Sequence, residues 1–373
     1  MSRKKATMDK TLQETAQDDM RLAAYDFALP EERIAQQPSE KRDASRLMVL
    51  DRRRGTLTDA MFSDLAKYLP PGVIVVNNSR VVPARVLGSR ASGGKVEFLL
   101  TTPLPHVRGE TDEEGKQTAV VGCLLRSSKK VRVGETVTLG KGFFATVLTR
   151  GEYGQCSVKL TWSGNFPDRL LSEGVMPLPP YIKRPQSAED AERYQTVYAK
   201  AEKAGSIAAP TAGLHFTEDV KASLVESGFL WTEVTLYVGY GTFSPVRCDD
   251  IREHQMHREY CEISEEAAKT ISQAKEKGLP ITAVGTTAAR TLEGVAAEIG
   301  GVAPFRGWTD IFLYPGKQPR VVDHLLTNFH LPGSTLLMLV AAFAGREQIL
   351  KAYAQAVEKR YRFFSYGDAM LII

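Results

Sequence analysis

KVRVGETVTLGKGFFATVLTR, Lys130 to Arg150, decides the fold. It consists of short β-rich runs broken by glycine and charge. The same pattern extends outward in both directions, through VPARVLG, KVEFLL and AVVGCLL upstream and CSVKLTW downstream. From about Val73, where VIVVNN opens the block, to Trp162 the chain reads as short strands at regular spacing. Such spacing with turn signals between strands predicts a small barrel or sandwich. GETDEEGK, Gly109 to Lys116, reads as an exposed loop between two of these strands. Beyond Phe166 the pattern changes to alternating helix and strand. Thr217 is placed to cap one helix, Ser264 a second (SEEAAKTISQAKEKG) and Ser334 the apolar STLLMLVAAFA. WTEVTLYVG, ITAVG, TDIFLY and the terminal DAMLII read as strands, and TTAARTLEGVAAEIG and REQILKAYAQAVEKRY as helices. Alternation of this kind predicts a layered α/β domain. Because Tyr25 to Arg54 belongs with that larger body, the β-rich block is an insertion. The expected architecture is α/β: a polar tail over 1–24, a discontinuous α/β domain over 25–78 and 163–373, and an inserted all-β barrel domain over 79–162.

At 373 residues the chain is long for one core, in keeping with two domains. Hydrophobic content of 43% and charged content of 25% are those of a globular protein. The longest apolar run, Leu336 to Ala344, is about half of the roughly 20 residues a membrane span requires. The polar N-terminus lacks the apolar segment of a secretory signal. Cys123, Cys156, Cys248 and Cys261 lie far apart without a C-x-x-C pair, which argues against a zinc site or a disulfide framework and for the cytoplasm. A net charge of +4 permits a local basic face without demanding one.

Several stretches carry candidate chemistry. In AVGTTAAR a strand ends at Gly285 where Thr286 and Thr287 open a helix, so free N–H groups and two hydroxyls can hold a carboxylate or phosphate. The alternative is that Thr286 only caps the helix. LYVGYGTF has the glycines of a nucleotide loop, but Pro245 follows where a helix should start, so the dinucleotide fingerprint fails. His254 and His257 have i, i+3 spacing, yet no H-E-x-x-H or cysteine pair completes a metal site. In DHLLTNFHLPGSTL, Asp323, Thr327, Asn328, His330, Ser334 and Thr335 gather polar groups just ahead of an apolar helix, a seat for a polar ligand. SIAAPTAGLHFT, Ser206 to Thr217, is a small-residue stretch that delivers His215. Arg80 and Arg85 in NNSRVVPAR, and Lys183 and Arg184 in LPPYIKRP, are cations able to meet phosphates.

Taken together, YDFALPEERIAQQPSEKRDASRL, VVNNSRVVPARV, GGKVEFLL, MPLPPYI, YQTVYA, SIAAPTAGLHFT, YVGYGTFSPV, HREYCEIS, AVGTTAARTLE, TDIFLYPG, LLTNFHLPGSTLLMLVAAFAG and YRFFSYGDAMLI closely resemble the S-adenosylmethionine:tRNA ribosyltransferase-isomerase family of the queuosine pathway. They run in the family's order from Tyr25 to the C-terminus. The resemblance implies a larger α/β domain with an inserted β-barrel. It also implies transfer and isomerisation of the ribosyl part of S-adenosylmethionine onto the aminomethyl-deazaguanine at the tRNA wobble position, releasing adenine and methionine. S-adenosylmethionine is then a consumed substrate, with no metal or separate cofactor, and tRNA carrying the queuosine precursor is the partner of an expected monomer.

That chemistry needs a base for the proton beside the sulfonium, an acid or hydrogen bond at the departing adenine, and N–H donors for the methionine carboxylate. His215 and His330 can titrate near neutral pH and are assigned the acid–base roles. Thr286, Thr287, Ser334 and Thr335 are assigned to polar parts of S-adenosylmethionine, and Tyr240 or Phe243 to stacking on a base. Thr211, Gly213, Gly241, Gly285 and Asn328 complete the expected pocket. Arg80, Arg85, Lys183 and Arg184, with the barrel, are assigned to tRNA. Two rivals remain: a non-catalytic RNA-binding protein, which leaves the histidine-bearing loops without a purpose, and an S-adenosylmethionine-dependent RNA methyltransferase, disfavoured because no strand–GxGxG–helix unit occurs.

Overall fold

Runs of consecutive apolar residues form the middle of one nine-stranded mixed sheet. In the computed structural model, which describes residues 18–373 except the side chains of Thr242 and Phe243, the chain opens with β1 (Arg46–Asp51), β2 (Thr56–Met61) and β3 (Val73–Asn77). Six strands of a second sheet follow: β4 (Arg85–Arg90), β5 (Lys95–Leu100), β6 (Gln117–Ser127), β7 (Thr136–Gly140), β8 (Phe143–Arg150) and β9 (Gln155–Trp162). The chain then returns to the first sheet through α1 (Phe166–Glu173), α2 (Glu218–Glu226), β10 (Leu230–Leu236), β11 (Glu259–Ile263), α3 (Glu265–Glu276) and β12 (Ile281–Val284). It ends with α4 (Gly285–Ile299), β13 (Phe305–Thr309), β14 (His324–Asn328), α5 (Thr335–Ala344), α6 (Arg346–Glu358) and β15 (Ala369–Ile372). Thr217, Ser264 and Ser334 cap α2, α3 and α5 as expected, each accepting an N–H from the first turn.

The large sheet runs β13-β11-β10-β3-β12-β14-β15-β1-β2. Its centre, β10, β3, β12 and β14, is parallel. β3 and β12 are buried at every position, as parallel strands covered on both faces must be. Alternate residues of β3 serve opposite faces: Val73 and Val75 pack in the core under α3 to α6, Ile74 and Val76 in the core with Phe216 and Leu224.

Two expectations change here. A strand is expected over Thr309–Tyr314, but β13 ends at Thr309, paired with Glu259, the first residue of β11. Beyond that pair no partner strand remains, and Phe312, Leu313 and Tyr314 are consecutively buried in the core. The polar tail is expected to reach residue 24. Its residues 1–17 lie outside the described residues, while from Asp18 onward the chain is held. The Leu22 N–H donates to the Asp249 carbonyl and the Ile251 N–H to that of Met20, both at 2.8 Å. Asp19 pairs with Arg346 at 2.6 Å.

The six strands of the second sheet close in the order β9-β8-β7-β4-β5-β6 and back to β9, all antiparallel. Their side chains alternate between inside and outside, the period a barrel requires. At Gly88 a Cβ would lie 2.7 Å from Val137 Cγ1, so glycine permits the close approach of β4 to β7. Phe166 and Leu170 of α1 join the barrel core. Cys123 and Cys156, distant in sequence, face each other across β6 and β9 as thiols 3.2 Å apart. Between Ser79 and Asp190 every buried side chain is apolar.

Polar side chains lock the junction where β3 hands the chain to the barrel. Asn77 Oδ1 accepts from the N–H groups of Ser79 and Leu236, at 3.1 and 3.0 Å. Ser206 Oγ, which opens the small-residue stretch, lies 2.7 Å from Ser79 Oγ.

Candidate active site

Four parallel strands end on the same edge of the sheet, and a cavity of about 190 Å³ opens there. Ligands of open α/β sheets bind outside the carboxyl ends of parallel strands. Val238 follows β10, Gly285, Thr286 and Thr287 follow β12, and Thr327, Asn328 and His330 close β14; all line the cavity. Thr211 and the alanines of the small-residue stretch form another wall, and Ser334 and Thr335 bring the start of α5.

Two helix N-termini therefore face the same space. At α4 the preceding residue, Val284, makes no side-chain cap, and Gly285 holds φ +84°. Thr286 is thus inside the helix and does not cap it. The first N–H groups of α4 keep no side-chain partner, and Thr287 Oγ1 is buried without a hydrogen-bond partner. At α5 the cap is filled: Ser334 Oγ accepts from the Leu337 N–H at 3.2 Å. One turn along α4, Arg290 makes an ion pair with Glu259 in which both side chains are almost wholly buried. Glu259 Oε1 in turn accepts from the Gly239 N–H at 2.8 Å.

The two candidate histidines differ in position. His330 lines the cavity, with Nε2 2.9 Å from Thr327 Oγ1 and its backbone N–H donating to Tyr353 Oη at 3.1 Å. Burial pushes its pKa down to about 3, so the ring is neutral at pH 7. His215 stands behind the cavity wall, between Ser45 Oγ (2.7 Å) and Asn328 Nδ2 (3.0 Å). Burial, helped by the charges of Arg362 and Arg42, also brings its pKa to about 3, so neither histidine titrates near neutral pH as expected from its residue type: both are too deeply buried to carry charge there.

Other candidates lie elsewhere. Gly213 is packed against Tyr198: a Cβ there would stand 1.9 Å from the hydroxyl, so its smallness serves packing. Tyr240 packs on the barrel core, and Gly241 against His257. The Phe243 side chain lies outside the described residues. Asp323 precedes β14 at the far end of the strand and accepts from the Ile281 N–H at 2.9 Å. His254 packs edge-on against Phe312.

Of the four cations assigned to tRNA, three have carboxylate partners. Arg85 is 2.7 Å from Glu97, Lys183 bonds Glu31, and Arg184 holds Asp190 with two hydrogen bonds of 2.7 Å. That last pair is nearly buried and is structural. Burial would raise the Asp190 pKa, but hydrogen bonds from Arg184, the Ser187 N–H and Tyr366 bring it to about 2. Arg80 is exposed and has no ion-pair partner among the described residues.

The residue reading missed an aromatic wall. Tyr181 and Phe364 line the cavity with ring centroids 4.2 Å apart, and the Tyr181 hydroxyl is 2.6 Å from Ser365 Oγ. Phe364 holds φ +72°, a conformation costly for a residue with a Cβ and commonest at functional sites. Both sit inside stretches that carry the family resemblance, MPLPPYI and YRFFSYGDAMLI, and that placement was the available signal.

None of the described helices is long and apolar enough to cross a membrane. A family profile described as "Queuosine biosynthesis protein" matches residues 22–372. The S-adenosylmethionine:tRNA ribosyltransferase-isomerase of Oleidesulfovibrio alaskensis is 57% identical over 361 residues, 96% of this chain and 95% of that protein. The one from Heliobacterium modesticaldum is 50% identical over 95% of this chain and 100% of its own length. The crystal structure of S-adenosylmethionine tRNA ribosyltransferase from Thermotoga maritima superposes with a TM-score of 0.52 at 36% identity, covering 94% of this chain and all of that one. The chain belongs to the queuosine biosynthesis protein family, among the S-adenosylmethionine:tRNA ribosyltransferase-isomerases.

Proposed function

We propose that the cavity at the carboxyl ends of β10, β12 and β14 is where this enzyme transfers and isomerises the ribosyl moiety of S-adenosylmethionine. The acceptor is the aminomethyl-deazaguanine of tRNA, and the products are epoxyqueuosine-tRNA, adenine and methionine. The observation that carries the assignment is the convergence of a neutral His330, an uncapped helix N-terminus and the unpartnered Thr287 Oγ1 and Asn328 Oδ1 on one cavity. Uncompensated polar groups at that depth are costly in an apoprotein and are relieved by a polar ligand.

The roles follow from chemistry. When His330 Nε2–H donates to Thr327 Oγ1, Nδ1 keeps its lone pair for a proton. The ring is free to accept the proton beside the sulfonium, but its lowered pKa makes it a weaker acceptor than ordinary imidazole, so the acidity that the adjacent positive charge lends to that carbon must make up the difference. The free N–H groups of α4 suit the methionine carboxylate, the neighbouring hydroxyls of Thr286, Thr287, Ser334 and Thr335 the remaining polar atoms, and Tyr181 with Phe364 a flat base. Arg80, exposed where the body meets the barrel, is the cation of the original four best able to meet a tRNA phosphate. The domain division at 79 and 162, action as a monomer in the cytoplasm and independence from a separate cofactor belong to the same proposal.

One assay tests it: the protein is incubated with S-adenosylmethionine and tRNA bearing the aminomethyl-deazaguanine. Free adenine and methionine are expected. S-adenosylhomocysteine would indicate a methyltransferase instead, and no product a binding module.

A further inference from the structure

The hydrogen atoms around His215 can be assigned from the oxygens that surround them. Asn328 Nδ2 lies 3.1 Å from the Phe364 carbonyl oxygen and 3.5 Å from that of Asp368. A carbonyl only accepts, so the amide nitrogen and not its oxygen must occupy that side. One N–H serves these carbonyls and the other points to His215 Nε2, 3.0 Å away. Nε2 is then the bare, accepting nitrogen, and the ring proton sits on Nδ1, donated to Ser45 Oγ at 2.7 Å. The Ser45 hydroxyl passes its own hydrogen to the Arg42 carbonyl at 3.4 Å. One polar atom is left over. Asn328 Oδ1 has no partner, in a residue that is 2% exposed and lines the cavity. Phe62, with its ring centroid 5.1 Å from that of His215, helps hold the imidazole in place.

We propose that His215 is a positioning residue: by accepting from Asn328 it locks the amide with Oδ1 left for the cavity, where Oδ1 receives an N–H of bound S-adenosylmethionine. This rests on the reading of the cavity as the S-adenosylmethionine site. A protonated ring, or the other tautomer, would present N–H to N–H and leave the amide held from the Phe364 side alone. Burial beside Arg362 and Arg42 keeps the ring neutral. The ligand has two kinds of N–H donor, the exocyclic amine of adenine and the α-ammonium.

Steady-state adenine release at saturating tRNA separates positioning from proton transfer. His215→Phe fills the ring's volume but cannot accept, and kcat/KM for S-adenosylmethionine should fall about 10- to 100-fold, chiefly through KM. His215→Gln can still accept from Asn328 and should recover most of that loss. Equal inactivity of both variants, expressed in kcat, would assign His215 to proton transfer and sink the proposal. The double variant His215→Phe/Asn328→Ala should be no worse than Asn328→Ala alone.

Two substrate analogues identify the donor, one with a 6-oxo purine and one lacking the α-ammonium. Asn328→Ala should erase the wild-type discrimination against one of them; retention of both would overturn the contact to Oδ1. Nitrogen-15 NMR of the wild-type protein, with the His215 signals assigned through His215→Gln, needs no folded loss-of-function variant. It should find a neutral Nδ1–H ring from pH 5 to 8, and an Nε2–H or charged ring would refute the lock. If wild-type protein releases no adenine, the functional reading fails, while the NMR result still decides the lock.

Discussion

The barrel and the cavity wall are built on opposite terms. Between Ser79 and Asp190 no polar side chain is buried among the described residues, whereas the body buries His215, His330, Asn328, Thr286, Thr287 and the pair Arg290–Glu259. A barrel interior dominated by Val, Leu, Phe and Ala gains its stability from packing. The body buries polar groups that its own hydrogen bonds do not fully satisfy, an arrangement that costs stability unless something binds. The difference supports the proposed division, with chemistry in the body and recognition on the outer surface of the barrel.

Four experiments break or sharpen that contrast. Replacing His330 by Gln should lower kcat for adenine release by about 10²- to 10⁴-fold, the range of a lost general base. Its melting temperature should change little. A rate within threefold of wild type would remove His330 from proton transfer. Phe143→Ala, at a fully buried position of the barrel core, should cost about 3–5 kcal/mol in urea unfolding of the barrel. Its kcat/KM for S-adenosylmethionine should stay within about threefold of wild type. A collapse of kcat/KM in folded protein would show that the two regions are coupled.

The third experiment concerns acid. Both histidines have folded-state pKa values near 3, below the unfolded value near 6.5. The unfolded chain therefore takes up protons first as pH falls. Stability is full above about pH 6.5 and declines toward pH 3 by about 1.4 kcal/mol per pH unit for each histidine. His215→Gln should flatten the slope by one proton; an unchanged slope would mean that His215 is not buried neutral. Asp190, lowered to about 2, adds a separate loss as pH falls below the unfolded value near 3.9, overlapping the lower end of the histidine window. The smallest effect is expected at the surface. Arg80→Ala should weaken tRNA binding a few-fold and reduce its salt slope by about one phosphate contact. Arg85→Ala, whose charge Glu97 already balances, should do less. Equal effects would place both cations on the RNA.

Much of the fold was legible because it rests on local patterns. The alternation in Lys95–Leu100 and Gln155–Trp162 marks a barrel wall, and the unbroken apolar runs Val73–Asn77 and Ile281–Val284 mark buried parallel strands. Ser264 and Ser334 announce their helices through chemistry confined to one turn. The strand expected at Thr309–Tyr314 failed for the complementary reason: a strand needs a partner, and the end of its neighbour at Glu259 is not written in its own residues.

The site divides along the same line. Residue types and local order nominated Thr211, Thr286, Thr287, Asn328, His330, Ser334 and Thr335, because helix starts after strands are sites of free N–H groups wherever they occur. They could not tell that Arg184 is neutralised by Asp190, or that Gly213 yields to the Tyr198 hydroxyl. Nor could they place Tyr181 beside Phe364, 183 positions further along the chain, or His215 behind Asn328 rather than in front of it. The sequence by itself determined most of the elements, the barrel and the family, since propensity, period and motif act over a few residues. Tertiary structure alone decided which polar atoms are left without partners. Hydrogen bonds between distant segments are set by where the sheet brings them, and on those bonds the distinction between a proton carrier and a positioning residue depends.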